Sequence, residues 1–180
     1  MLIVKKFDGT TLKDKEAIYC TAKHCVEEYN RGNEVVVVVS AMGDHTEELL
    51  AQARVINPEP SERELAQLLA IGEQMSAALL AMAVEEMEIP AISLNAFQMN
   101  LQTEGGSEAA EVISMDTTRI REELEQKRIV IVTGAQGIRE NNDCTRLAGG
   151  AEKTALILAE ALGADACEFY TEVTYRENVA

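Results

Sequence analysis

Five consecutive valines, Val35 to Val39, narrow the choice of fold more than any other stretch of this chain. β-Branched side chains disfavour helix and fit the pleated strand. A run without polar alternation leaves no face for water, so this strand must be covered on both sides, as in the middle of a parallel sheet. Ser40-Ala41-Met42-Gly43 follows at once. In open α/β sheets ligands bind at the carboxyl ends of the strands, so this small-residue turn is the first place to look for function.

The remaining chain alternates strand and helix patterns. Leu2 to Lys5 reads as a strand ending at the Asp8-Gly9 turn, and a helix is expected from Leu12 to about Arg31, stopped by Gly32. Helical periodicity returns from Thr46 to Ile56. Ser61 and Glu64 have the spacing of a capping box opening a long helix to Met87. Ile89–Leu94, Ile129–Thr133 and Ala166–Thr171 read as further strands. Asp116–Gln126 and the segment from Gly149-Gly150 to Leu162 read as helices, and Asn95 to Ala110 is the least regular stretch. The expected fold is α/β: a three-layer α/β/α sandwich around a mainly parallel sheet. One domain is expected over residues 1–173, with a short tail at 174–180.

With 31 acidic against 16 basic residues, the chain carries a formal charge of −15. Nucleic acid and anionic membrane surfaces would be repelled, so neither is expected as a partner. The N-terminus turns charged at Lys5 and no apolar run reaches the ~20 residues of a membrane span, which points to a cytoplasmic protein. Cys20, Cys25, Cys144 and Cys167 form no CxxC pair and read as free thiols. Cys20, His24 and Cys25 share a helix face and are the alternative, a metal site, but no metal ligand set is assigned.

Several motifs, in order, resemble the catalytic domain of aspartate kinases in the amino acid kinase superfamily. KFGGT of that family appears as Lys6-Phe7-Asp8-Gly9-Thr10, and the valine run with Ser40-Ala41-Met42-Gly43 and Thr46 follows its second motif. Arg63 to Val84, containing Gly72-Glu73-Gln74, is nearly continuous with its long helix. Ser93-Leu94 with Gln98, Arg119-Ile120-Arg121, Gly134-Ala135-Gln136-Gly137 and Cys167 to Val173 complete the series. The resemblance implies transfer of a phosphoryl group from ATP, with Mg²⁺, to the side-chain carboxylate of aspartate. It implies Lys6 and Glu152 as catalytic groups, Ser40, Thr46 and Glu73 as amino-acid contacts, and Lys6, Gly9, Thr10, Gly149 and Gly150 as nucleotide contacts. In such a reaction rate comes from positioning and from cations that spread developing charge.

Departures cluster at ligand-facing turns. Asp8 stands where the family has glycine, adding a carboxylate where phosphate should pass. At roughly 5 Å and an effective dielectric near 20, one pair of like charges costs about 3 kcal/mol. The family's GRGGSD becomes Leu147-Ala148-Gly149-Gly150-Ala151-Glu152, without the arginine whose fork binds carboxylate or phosphate. The match to the family also stops at Val173, with no regulatory ACT domain. The expectation is therefore an aspartate-kinase-like protein, catalytically impaired or non-catalytic as an isolated chain, that binds an aspartate-like amino acid and needs no cofactor. A homodimer, or a second protein completing the domain at an uncovered sheet edge, is the expected partner. An active kinase using Mg²⁺ and ATP is the alternative.

Overall fold

The computed structural model describes residues 1–173; the expected tail at 174–180 lies outside them. Strands β1 (Leu2–Phe7), β2 (Glu34–Val39), β3 (Ala91–Leu94), β6 (Ile129–Thr133) and β9 (Ala166–Tyr170) make one sheet in the order β3-β6-β2-β1-β9. Every pairing in it is parallel. The valine strand β2 sits at its centre. Val35, Val37 and Val39 pack with Phe7, Leu80 and Ile131 on one side, and Val36 and Val38 pack with Val4, Val132 and Leu158 on the other. Burying each valine stabilises the fold by roughly 1.5–3 kcal/mol. The all-β-branched run is thus explained by coverage on both faces.

Helices α1 (Lys15–Asn30) and α3 (Glu62–Glu86) cover the first face, with α2 (His45–Ile56) against α3. Helices α4 (Thr118–Glu125) and α5 (Gly150–Leu162) cover the second. The α/β/α sandwich expected from the alternation is the fold observed. α3 is long and apolar enough to cross a bilayer by length and composition, and half of that stretch is buried inside the domain.

Three local expectations are corrected. The first helix does not begin at Leu12: Gly9–Leu12 is a 3-10 turn that drives Leu12 into the core, and Asp14 then caps α1 by accepting the Ala17 N–H at 2.8 Å. Only half of the capping box forms. Ser61 Oγ accepts the Glu64 N–H at 3.4 Å, while the Glu64 carboxylate turns to Arg63. The irregular stretch contains structure: β4 (Gln102–Gly105) and β5 (Ala110–Ser114) form an antiparallel hairpin, and β7 (Gln136–Ile138) pairs antiparallel with β8 (Cys144–Arg146). The single parallel pair Gln102–Ile138 joins them into a second sheet, β5-β4-β7-β8. Its strands are short and partly polar, so they carry no periodic apolar signal.

All four cysteines are free. Cys25 is fully buried, and burial pushes its thiol up to about 12. Among the described residues no group of three or more His, Cys, Asp or Glu is arranged to hold a metal, and His24 lies against Lys5 instead.

Candidate functional site

The carboxyl ends of β1, β2, β6 and β9 converge, and their turns are packed too tightly for side chains. A Cβ on Gly9 would sit 2.3 Å from the Ala41 carbonyl oxygen, and the Gly43 N–H donates to the Gly9 carbonyl at 2.9 Å. A Cβ on Gly134 would sit 2.5 Å from that of Ala151, and the Gly134 N–H donates to Val39 at 2.9 Å. These close approaches hold the turns as the walls of a cleft of about 680 Å³. Gly9, Thr10, Ser40, Thr46 and Glu73, named as contacts from the sequence, all line it. The Thr10 hydroxyl donates to the Thr171 carbonyl at 2.7 Å, tying the β1 and β9 turns together. Ser40 and Thr46 present hydroxyls that make no hydrogen bond among the described residues.

Two consecutive lysines of β1 point to opposite faces of the sheet, because successive side chains on a strand alternate. Lys6, on the α5 side, is buried; its ammonium pairs with the Asp8 carboxylate and lies 3.9 Å from Glu152 Oε1. Asp8 is therefore not an isolated charge at the turn. Glu152, on the first turn of α5, is largely exposed, and Gly149 and Gly150 precede it with φ of 85° and 63°, the left-handed conformation that glycine permits. Neither glycine lines the cleft; Ala151, the residue after them, does.

Lys5, on the α1 side, is buried in a second network. Its ammonium donates to Glu168 at 2.6 Å and to the Tyr170 hydroxyl at 3.1 Å, and lies 3.5 Å from both Glu28 and His24. Phe7 stacks on Tyr170 with ring centroids 4.9 Å apart. Burial pushes the Lys5 pKa down, but its bonds to Glu168 and Tyr170 outweigh that and leave it raised. The same bond from Lys5, with that from Tyr170, holds Glu168 below the usual carboxylate range, while burial and the Lys5 charge lower His24. The network is a charged clamp beneath the cleft, locking β9 to β1 at Glu168 and Tyr170, immediately before Thr171 and Glu172 enter the cleft wall.

Glu73, only 2% exposed, projects from α3 into the base of the cleft. Arg146 grips it with both arms of its guanidinium, Nη2 to Oε1 and Nη1 to Oε2, each at 2.9 Å. Gln136 adds a bond from Nε2 to Oε2 at 3.2 Å and shares that nitrogen with the Ala70 carbonyl at 3.1 Å. A two-armed charge-assisted pair is among the strongest polar contacts a protein makes. Arg146 and Gln136 were given no role from the sequence. Arg146 lies two residues before the position where the family pattern has its arginine, so the cleft holds a guanidinium although Ala148 does not supply one.

A parallel-sheet α/β domain with a polar cleft at its strand ends is a ligand-binding class of fold. The chain belongs to the amino acid kinase family, whose profile it matches over residues 1–175. Within it the domain is aspartokinase-like: it is 47% identical over 174 residues to an aspartokinase of Geobacillus stearothermophilus and 43% identical over 173 residues to aspartokinase 2 of Bacillus subtilis. These alignments cover 96% of this chain and 43% and 42% of those proteins, so the chain spans less than half the length of the curated relatives it matches. Among solved structures, aspartate kinase from Synechocystis superposes with a TM-score of 0.82 at 38% identity, over 96% of this chain and 28% of that one. Aspartokinase III of E. coli, in complex with aspartate and ADP, superposes with a TM-score of 0.83 at 20% identity, over 96% of this chain and 49% of that one; at that identity the likeness is one of fold.

Proposed function

We propose that the cleft is the amino-acid half of an aspartate-kinase site, binding aspartate or a close analogue, and that phosphoryl transfer by this chain on its own is impaired. The observation that carries the reading is the Glu73–Arg146 pair at the cleft base. A zwitterion exchanges that one pair for two: its ammonium meets Glu73 and its α-carboxylate meets Arg146. Because the protein supplies both charges already oriented, little side-chain ordering is left to do on binding. The hydroxyls of Ser40 and Thr46 are then available to the side-chain carboxylate. Aspartate kinases of known structure include one in complex with aspartate and ADP.

The nucleotide half is weaker. Asp8, Glu47, Glu73 and Glu172 all line the cleft, and Arg146 is the one cationic side chain among the described lining residues. Lys6 is already paired with Asp8. A polyphosphate entering here meets a surplus of like charge, each uncompensated pair costing about 3 kcal/mol at 5 Å. Mg²⁺ fits the chemistry of Asp8 and Glu152, hard oxygen donors flanking Lys6, provided that nucleotide phosphates furnish further ligands, as is usual for that ion. When bound, it would supply charge neutralisation between these carboxylates and phosphate. The pairing of Lys6 with Asp8 favours the second reading, a working kinase, because a lysine held beside a metal-binding carboxylate is also a phosphate-binding arrangement.

Isothermal titration with aspartate, with Mg²⁺-ATP and with both distinguishes the readings. Micromolar aspartate binding, lost in Glu73→Gln and Arg146→Met, together with weak nucleotide binding, is the expected result. Aspartyl phosphate formation by the purified chain, abolished by Lys6→Ala, would instead establish the working kinase. Tight ATP binding without aspartate binding would overturn both the ordering and the assignment of the Glu73–Arg146 pair.

A further inference from the structure

Strands of the main sheet are held by what covers them, and β9 is covered least. It lies at the sheet edge, and among the described residues β1 is its one strand partner. None of its five residues is fully buried, whereas β2 and β6 are buried almost throughout. Apolar packing therefore does little to fix where β9 ends. That end matters, because Thr171 and Glu172, the next two residues, belong to the cleft wall. Polar contacts hold it instead. The Lys5 ammonium, on a side chain 1% exposed, bonds Glu168 and the Tyr170 hydroxyl on β9 and lies beside Glu28 and His24 on α1. The Tyr170 ring stacks on Phe7 at an interplanar angle of 17° and meets the His24 ring edge-on with centroids 4.8 Å apart. At the backbone, the Tyr170 carbonyl accepts the Asp8 N–H at 3.0 Å, and the Thr171 carbonyl accepts the Thr10 hydroxyl. One ring and two carbonyls thus carry the placement set by Lys5 to the turn that bears Asp8, Gly9 and Thr10, all cleft residues.

We infer that Lys5 is a positioning residue for the cleft: touching no ligand itself, it acts through Glu168 and Tyr170 to hold the β9 end of the wall in register with the β1 turn. Its effect on ligand affinity rests on the amino-acid reading of the cleft given above; its effect on the wall does not. One carboxylate would suffice to neutralise a buried lysine. Lys5 instead spreads its donors over two residues of β9 and the α1 side, so that edge strand, helix and aromatic stack are held as a unit. The fold can tolerate the loss of that ammonium. The Glu168 side chain is 40% exposed and can turn to water, and Glu28 keeps Arg31 at 3.3 Å and Asn33 at 2.5 Å. What disappears is the link from β1 to Tyr170. The ring is then free to slide on Phe7, taking Thr171 and Glu172 with it. Glu73 and Arg146, on α3 and β8, are held by their own bonds. A loosened β9 end therefore opens the cleft from one side and leaves its base intact.

Hydrogen exchange read by peptide mass, together with isothermal titration with aspartate, tests the inference on Lys5→Met and Tyr170→Phe. In Lys5→Met, residues 166–172 and 8–12 should exchange about tenfold faster than in wild type while β2 keeps its rate, and aspartate should bind about tenfold more weakly. Tyr170→Phe keeps the stack and loses only the hydroxyl, so the same pattern is expected at smaller amplitude. The double variant should do no more than Lys5→Met alone, because both act through one link. Ile120→Ala, a truncation of a fully buried side chain on α4, is the control for lost stability. It should lower the denaturation midpoint yet leave aspartate affinity unchanged and show no preferential exchange at 166–172. Exchange that rises uniformly in Lys5→Met, or only in α1, would make Lys5 a structural ion pair and overturn the inference. So would wild-type aspartate affinity in a Lys5→Met chain whose wall exchanges fast. If Lys5→Met does not fold, an unaltered wall in Tyr170→Phe overturns it equally. Should wild type itself bind no aspartate, the amino-acid reading of the cleft fails, and the exchange pattern alone decides for or against Lys5.

Discussion

Glu73 and Arg146 are matched so closely that each makes the other tolerable in the interior. Breaking a buried pair from one side leaves an uncompensated charge at a cost of about 3–5 kcal/mol, whereas replacing both partners with apolar groups of similar volume is often neutral. Arg146→Met should therefore destabilise strongly in urea denaturation, and the double variant Glu73→Met/Arg146→Met should recover most of the loss while binding no amino acid. If the double variant is no more stable than the single one, the pair is not the coupled unit described above. Gly9 tests a different kind of residue. Its missing side chain is a spacing device, and Gly9→Ala forces a methyl group into the Ala41 carbonyl. Overpacking of this sort typically costs 1–3 kcal/mol. Because Ala41 is a cleft wall, aspartate affinity should fall together with the denaturation midpoint. These residues also mark how far the site was legible beforehand. Gly9, Thr10, Ser40, Thr46 and Glu73 come together because short motifs at strand ends fix them locally. Gln136 and Arg146 reach Glu73 across more than sixty residues from two three-residue strands, and nothing in their neighbours' sequence announces that contact.

At the level of elements, the parts that could be read in advance are those whose apolar pattern closes on itself. The valine run, the α3 pattern and the β6 run each bury enough surface to declare a strand or helix. The second sheet does not. Gln102–Gly105 is held by a hairpin partner, by the tight seat of Gly137 against Thr103 and by bonds such as Thr103 to the Ile138 carbonyl at 3.0 Å, all non-local. Helix ends behave similarly. Asp14 makes a well-formed cap and Asp14→Ala should cost about 1 kcal/mol, whereas Ser61 accepts a longer bond and Ser61→Ala should cost less. Thermal melts of the two variants rank them; a larger loss at Ser61 would contradict the half-formed capping box.

For the whole molecule, the buried charges prescribe a response to pH. Burial opposes ionisation of Glu123, but Arg119 and Arg128 outweigh it and hold its carboxyl below the ordinary range; Lys5 and Tyr170 do the same for Glu168. Between those lowered values and the ordinary carboxylate pKa of about 4.3, the unfolded chain binds more protons than the folded one. Their stabilisation is complete above that pH and is lost as pH falls through the folded values. His24, lowered first by burial and then by Lys5, has the same sign, so its contribution begins to fade as pH drops below about 6.5. Lys5 is raised, so its contribution is intact below about 10.4 and disappears as pH climbs through the folded value. The melting temperature should hold a plateau from about pH 7 to 8.5, with a shallow fall below 6.5, a steep one below 4, and a decline above 8.5, where the Cys25 thiol ionises in the unfolded chain while burial keeps it protonated in the folded one. His24→Phe should remove the shallow part; an unchanged slope there would assign it to other groups.

Cys25 gives the molecule a clock. Its thiol lies inside the α1 face of the core and, with a pKa of about 12, exposes roughly one thiolate in ten thousand at pH 8 even before access is considered. Alkylating reagents can reach it only when α1 lifts from the sheet. The rate at which Cys25 acquires a label in native buffer, read by peptide mass, therefore times the opening of the α1 face. The same reading with a cleft ligand present gives the lifetime that the ligand adds.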